Sequence, residues 1–83
     1  MDTDPQSITR LLIETLAANP RINQPVYANT VIVEDLALDS LAVMNFVMEI
    51  EDKLDVSVPL DRLADIRTVD DLARCLAGLV QHR

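Results

Sequence analysis

An 83-residue chain with one Cys, one His and one Gly has few places where chemistry can reside. Ser40 is the obvious nucleophile, but a serine needs an adjacent base to attack anything. The single histidine, His82, stands next to the terminal Arg83, in a tail expected to fray. Glu51 and Asp52 are neighbouring carboxylates with no evident pocket to raise a pKa into the range of a general acid. One glycine excludes a phosphate-cradling loop, one cysteine excludes an intrachain disulfide, and no Cys/His cluster is spaced to hold a metal. No catalytic residue and no metal ligand is assigned, and the expectation is a protein that is not an enzyme. Ser40 can still be acted upon. Asp39-Ser40-Leu41 opens an apolar run, so its plain reading is a helix N-cap. A hydroxyl in that position is held clear of the core and within reach of another enzyme. A phosphodiester attached there would face the helix's positive end, favourable by about 0.3–1 kcal/mol.

The elements that must position Ser40 are helices. Ile8, Leu11, Leu12 and Leu16 follow helical spacing behind Asp4-Pro5, a cap followed by a preset φ, so a first helix is expected from Pro5 to Asn19, where Asn19-Pro20 stops it. From Pro20 to Leu38 no helical period survives. This reads as a long loop whose Val31, Ile32, Val33 and Leu36 fold back onto the core and in which Tyr27 packs. Val31–Val33 could be a strand, but none is available to pair with it, and a sheet is rejected. The second helix runs from Asp39 or Ser40 to Asp55 with two stripes: Val43, Val47, Ile50 and Leu54 beside Phe46, facing inward, and Leu41, Met44 and Met48, rotated away. Leu60–Ile66 has room for one or two turns. Thr68-Val69-Asp70-Asp71 resembles a capping box opening a last helix with Leu72, Leu76, Leu79 and Val80 on its core face, weakened near its end by Gly78. Cys75, one turn after Leu72, reads as a small buried hydrophobe rather than a reactive thiol. The expected architecture is all-α in a single domain, 1–83.

Charge narrows the partners. The formal net charge is −7 and the pI about 4.3, which disfavours nucleic acid and anionic membrane surfaces. Between residues 34 and 61 eight acids face Lys53 alone, while the remainder is balanced. Such a localised surplus suits a basic partner, or simply a solvated face. No apolar run approaches membrane-spanning length and the acidic start does not resemble a signal peptide, so a cytoplasmic chain is expected.

Asp35-Leu36-Ala37-Leu38-Asp39-Ser40-Leu41, then Val47-Met48-Glu49-Ile50-Glu51-Asp52-Lys53-Leu54, Val58-Pro59 and Thr68-Val69-Asp70-Asp71-Leu72, together resemble an acyl carrier protein. The resemblance is firm from about Val31 to Leu79 and lies in order and spacing as much as in residue type. It implies a small four-helix bundle, three longer helices and a short one, with the long loop between the first and second. It also implies that Ser40 receives 4'-phosphopantetheine from coenzyme A through a Mg-dependent phosphopantetheinyl transferase. The arm would carry acyl groups as thioesters to client enzymes of a fatty-acid, specialised-lipid or polyketide-like pathway. Asp39, Leu41, Met44, Met48, Glu51 and Asp52 would meet basic patches on those clients, and Val43, Phe46, Val47, Ile50, Leu72 and Leu76 would line a slot for the acyl chain. A monomer is expected, since a carrier must visit several active sites.

Three positions depart from the resemblance: Ala37 where the family often has Gly, Asn45 at a commonly acidic position, and Lys53 among the acids. They favour a specialised free-standing carrier, for example one delivering a long acyl chain to an enzyme that condenses it with an amino acid. The alternatives are a peptidyl or aminoacyl carrier, and an unmodified helical adaptor binding through Leu41, Met44 and Met48.

Overall fold

The fold follows from where apolar side chains recur at helical spacing and where capping residues interrupt them. A computed structural model describes residues 4–20, 22–36 and 38–81; Ala37 and His82 therefore lie outside the described residues. Within them are five helices: α1 (Pro5–Ala17), α2 (Ile32–Leu36), α3 (Ser40–Leu54), α4 (Leu60–Leu63) and α5 (Val69–Gln81). Three are long, as expected, and two are short instead of one.

The long helices supply the core. Ile8, Leu12 and Leu16 repeat every four residues along α1, and Val69, Leu72, Ala73, Leu76 and Ala77 form the matching stripe of α5; all are buried. These two helices make the broadest contact in the bundle. From α3, Phe46, Val47, Ile50 and Leu54 join them, with Val43 half-buried. Asp4 caps α1, its carboxylate accepting from the Ser7 N–H at 2.7 Å. At the far end of α3, Asp55 adopts a left-handed conformation (φ 56°), which an aspartate tolerates better than most residues, and its N–H donates to the Glu51 carbonyl.

The loop after α1 differs from expectation. Val31–Val33 is not a strand, and the segment winds into α2 although its sequence has no sustained helical period. The cause is bonding from elsewhere in the chain. The Ile32 N–H donates to the Arg67 carbonyl (2.9 Å), Val69 N–H to Thr30 (3.0 Å) and Asp70 N–H to Ala28 (2.8 Å), pinning the loop to the entry of α5 through one isolated antiparallel bridge, Val31 to Thr68. Asp35 then caps locally, accepting from the Val31 N–H at 2.8 Å. Ile32 and Leu36 reach the core. Val33 (55% exposed) does not, contrary to expectation, and Tyr27, expected to pack within the loop, is 60% exposed. The segment after Pro59 makes one turn, Leu60–Leu63, with no buried residue, rather than reaching Ile66.

The capping box of α5 forms as read. Thr68 Oγ1 accepts from the Asp71 N–H (3.0 Å), and Asp71 Oδ2 accepts from the N–H groups of Thr68 and Arg67 (both 3.2 Å). Those donors, Thr68 first, hold the Asp71 carboxyl below its ordinary pKa. A depressed folded-state pKa means that the stabilisation is present above the unfolded value, about 3.9, and is lost as pH falls through the folded one. Acid unfolding followed by circular dichroism should therefore show Asp71→Asn less stable than the parent at pH 7, with the difference shrinking below pH about 4. A constant difference across that range would show that the carboxylate's charge is not what α5 uses.

Gly78, inside α5, has no positive φ, and a Cβ built on it meets nothing within 4 Å. Gly78→Ala should stabilise by about 1 kcal/mol, by restricting the unfolded chain and favouring the helix. A urea midpoint that fails to rise would show that this turn is not helical in solution.

Candidate functional site

Ser40 is the first residue of α3. Asp39 before it is extended (φ −80°, ψ 175°) and its Oδ1 accepts from the Ala42 N–H at 2.8 Å, so the helix starts at a fixed residue. The cap determines which way the next side chain leaves the backbone. Ser40 is exposed, and it stands at the mouth of a cavity of about 310 Å³. The rim is Val33 on α2 and Leu60 on α4, both well exposed, with the partly exposed Met44 on α3, and the interior is made by the buried Ile32, Phe46, Val47 and Leu72. A serine open to solvent beside an apolar slot is a fit for a phosphodiester-linked arm. The phosphate would sit at the positive end of a fifteen-residue helix, and an apolar cargo would have a surface to leave water for.

The expected lining residues divide. Val43, Phe46, Val47 and Leu72 border the cavity; Ile50 and Leu76 do not, and both are fully buried, one turn beyond Val47 on α3 and Leu72 on α5. Their periodicity placed them on the correct helix face but could not say how deep the cavity goes. Ile32, Val33, Leu60, Leu63, Ala64 and Ile66 also border it and were not singled out. They sit on short elements where no period builds up; the only signal was apolar residues in otherwise polar surroundings.

On the outer side of α3, Leu41 (70% exposed) and Met48 are open, and Met44 is partly so. Of these only Met44 borders the cavity beside Ser40, together with Val33 and Leu60. The acids nearby do two kinds of work. Asp52 and Glu49 are exposed. Glu51, expected to face a partner, is half-buried, and its Oε2 accepts from the Val58 N–H at 2.7 Å, closing the loop between α3 and α4. Asp39 likewise serves the α3 cap while remaining exposed. Lys53 reaches across to α1, where its Nζ donates to Thr15 Oγ1 at 3.4 Å. Cys75 is half-buried. Among the described residues no group of His, Cys, Asp and Glu side chains could hold a metal, and no helix is long and apolar enough to cross a membrane.

Comparison with known proteins gives a consistent set. The family model described as "Phosphopantetheine attachment site" matches residues 7–76. The chain is 52% identical over 54 residues to the "Probable acyl carrier protein" of Caulobacter vibrioides, an alignment spanning 65% of this chain and 63% of that protein. It is 36% identical over 67 residues to the "Acyl carrier protein" of Wolinella succinogenes, covering 81% and 84% of the two chains. Against the "Acyl carrier protein" of a Sulfurovum species it is 36% identical over 72 residues, covering 87% and 92%.

Proposed function

The chain belongs to the phosphopantetheine attachment family, and from that premise we propose that it is an acyl carrier whose Ser40 holds the prosthetic arm. The observation that carries this reading is the exposed Ser40 at the start of α3, beside an apolar cavity. In the attachment step Ser40 presents its hydroxyl oxygen to the diphosphate of coenzyme A. One phosphoanhydride bond breaks, the nucleotide half leaves, and the transferase takes the proton. Bound there, 4'-phosphopantetheine supplies a terminal thiol that holds acyl groups as thioesters at high effective concentration near whichever enzyme has docked.

The chain's own residues do the rest. Asp39 fixes the helix start, and the apolar interior of the cavity favours an acyl chain over an aminoacyl or peptidyl group, each shielded methylene contributing about 0.8 kcal/mol before any repacking. Leu41, Met44 and Met48 form an adaptable apolar patch, and Asp39, Glu49 and Asp52 border it with negative charge, a surface suited to the basic docking patch of a transferase or acyl-handling enzyme. Glu51 contributes mainly by holding the α3–α4 loop. Catalysis is left to those partners, which the chain visits as a monomer in one cytoplasmic pathway. Incubation with coenzyme A and a phosphopantetheinyl transferase, followed by intact mass, tests the reading. A gain of one phosphopantetheine is expected, and an unchanged mass removes it.

A further inference from the structure

Phe46 borders two cavities at once. One is the slot beside Ser40, of about 310 Å³. The other, about 370 Å³, lies between the end of α1 and the opposite side of α3, where Thr15, Leu16, Asn19, Ala42 and Asn45 surround it. The α3 residues divide cleanly between the two: Val43, Met44 and Val47 belong to the first, Ala42, Asn45 and Glu49 to the second, and Phe46 to both. It is 7% exposed and is the chain's sole phenylalanine; the one tyrosine is on the surface and there is no tryptophan. An aliphatic or methionine side chain at this position could shift among rotamers and let a chain slide by. A flat ring with two torsions makes a stiffer wall.

We propose that Phe46 is the partition that sets how long an acyl chain the bundle can shield. The inference rests on Ser40 carrying the arm and deepens that reading by naming the substrate class. A chain entering from Ser40 fills the first cavity and stops at the ring, and further methylenes remain in water. If a methylene occupies roughly the 30 Å³ share of a water molecule, the cavity bounds the shielded length at no more than on the order of ten carbons. With the ring shortened, the two cavities join, and the second accepts the excess length.

The test loads the protein from a ladder of acyl-coenzyme A thioesters of rising chain length, confirms each product by intact mass, and measures thioester cleavage by hydroxylamine. In the wild type, cleavage should slow by up to about fourfold per added shielded methylene and then level off. In Phe46→Leu, checked as folded by circular dichroism, the levelling should move to longer chains, leaving the longest thioester at least severalfold better protected than in the wild type. Levelling at the same length in both proteins overturns the partition while leaving loading and shielding intact. Cleavage independent of chain length in the wild type overturns shielding and partition together, and failure to load overturns Ser40 as well. A second measurement needs no variant. Amide chemical shifts of the wild type loaded with the longest chain should move at Val43, Val47 and Leu72 and stay fixed at Thr15 and Asn19; movement at Thr15 and Asn19 means that the ring does not stop the chain.

Discussion

Ser40→Ala should abolish loading, leaving the intact mass unchanged after incubation with coenzyme A and transferase under conditions that convert the parent completely. The effect is all-or-none because the variant removes the one oxygen that would form the phosphodiester. Ser57, the next serine along the chain, lies past the far end of α3, a fifteen-residue helix about 22 Å long. The fold should be untouched. Ser40 is exposed, the α3 cap is supplied by Asp39, and alanine is the best helix former for a first-turn position. Circular dichroism and urea unfolding should therefore match the parent within about 0.5 kcal/mol. A variant that still gains the arm would move the attachment point elsewhere, and one that unfolds would show the hydroxyl to be structural.

The separation of the α3 cap from the exposed hydroxyl of Ser40 is the organising feature of the proposed site. Were Ser40 itself the cap, its oxygen would be occupied by a backbone N–H and turned inward. With Asp39 in that role, Ser40 follows as the first helical residue, exposed to solvent. The same economy recurs at Asp35 and Glu51, where carboxylates from the acidic stretch satisfy backbone donors at the entry of α2 and in the loop after α3. Part of the local charge surplus is thus explained by local capping and loop closure, while Glu34, Glu49, Asp52 and Asp61 remain exposed on the surface.

What the sequence made legible follows from which interactions are local. The start of α1 is written in Asp4-Pro5, the start of α3 in Asp39, and that of α5 in Thr68 and Asp71, because each cap bonds within four residues of itself. The place of Ser40 as the first residue of α3 is legible for the same reason. Helix α2 was not, since Ile32 takes its bond from Arg67, more than thirty residues away, and no window along the chain contains both. The rim residues Val33 and Leu60 belong to this non-local part. The bond from Val58 N–H to Glu51 is not legible either, because Val58 lies past a left-handed turn at Asp55 that sequence spacing does not foretell. The cavity's wall is drawn from four helices at once, α2 to α5, and periodicity within one helix does not show that Ile50 and Leu76 stand outside its lining.

Ile50→Ala tests that last distinction and should be the most destabilising change considered, costing about 2–5 kcal/mol. The side chain is 0% exposed and sits one turn below Val47, among residues that contribute to the single core. Removing three carbons there leaves a void that neighbouring aliphatic side chains only partly fill. For a chain of this size the total stability is about 4–12 kcal/mol, so the loss is a large share of the whole and shows directly as a lower urea midpoint with an unchanged slope. Ile50 as a cavity wall predicts otherwise: part of its surface would already face empty space or solvent, and truncation would cost closer to 1 kcal/mol. Leu41→Ala is the control on the same helix, since its 70% exposed side chain should change stability by less than about 0.5 kcal/mol. Below its unfolding transition Ile50→Ala should still load at Ser40, because the cap at Asp39 and the exposed hydroxyl lie more than two helical turns away. A variant that keeps its stability but fails to load would reverse the assignment, making Ile50 part of the site and not of the core that supports it.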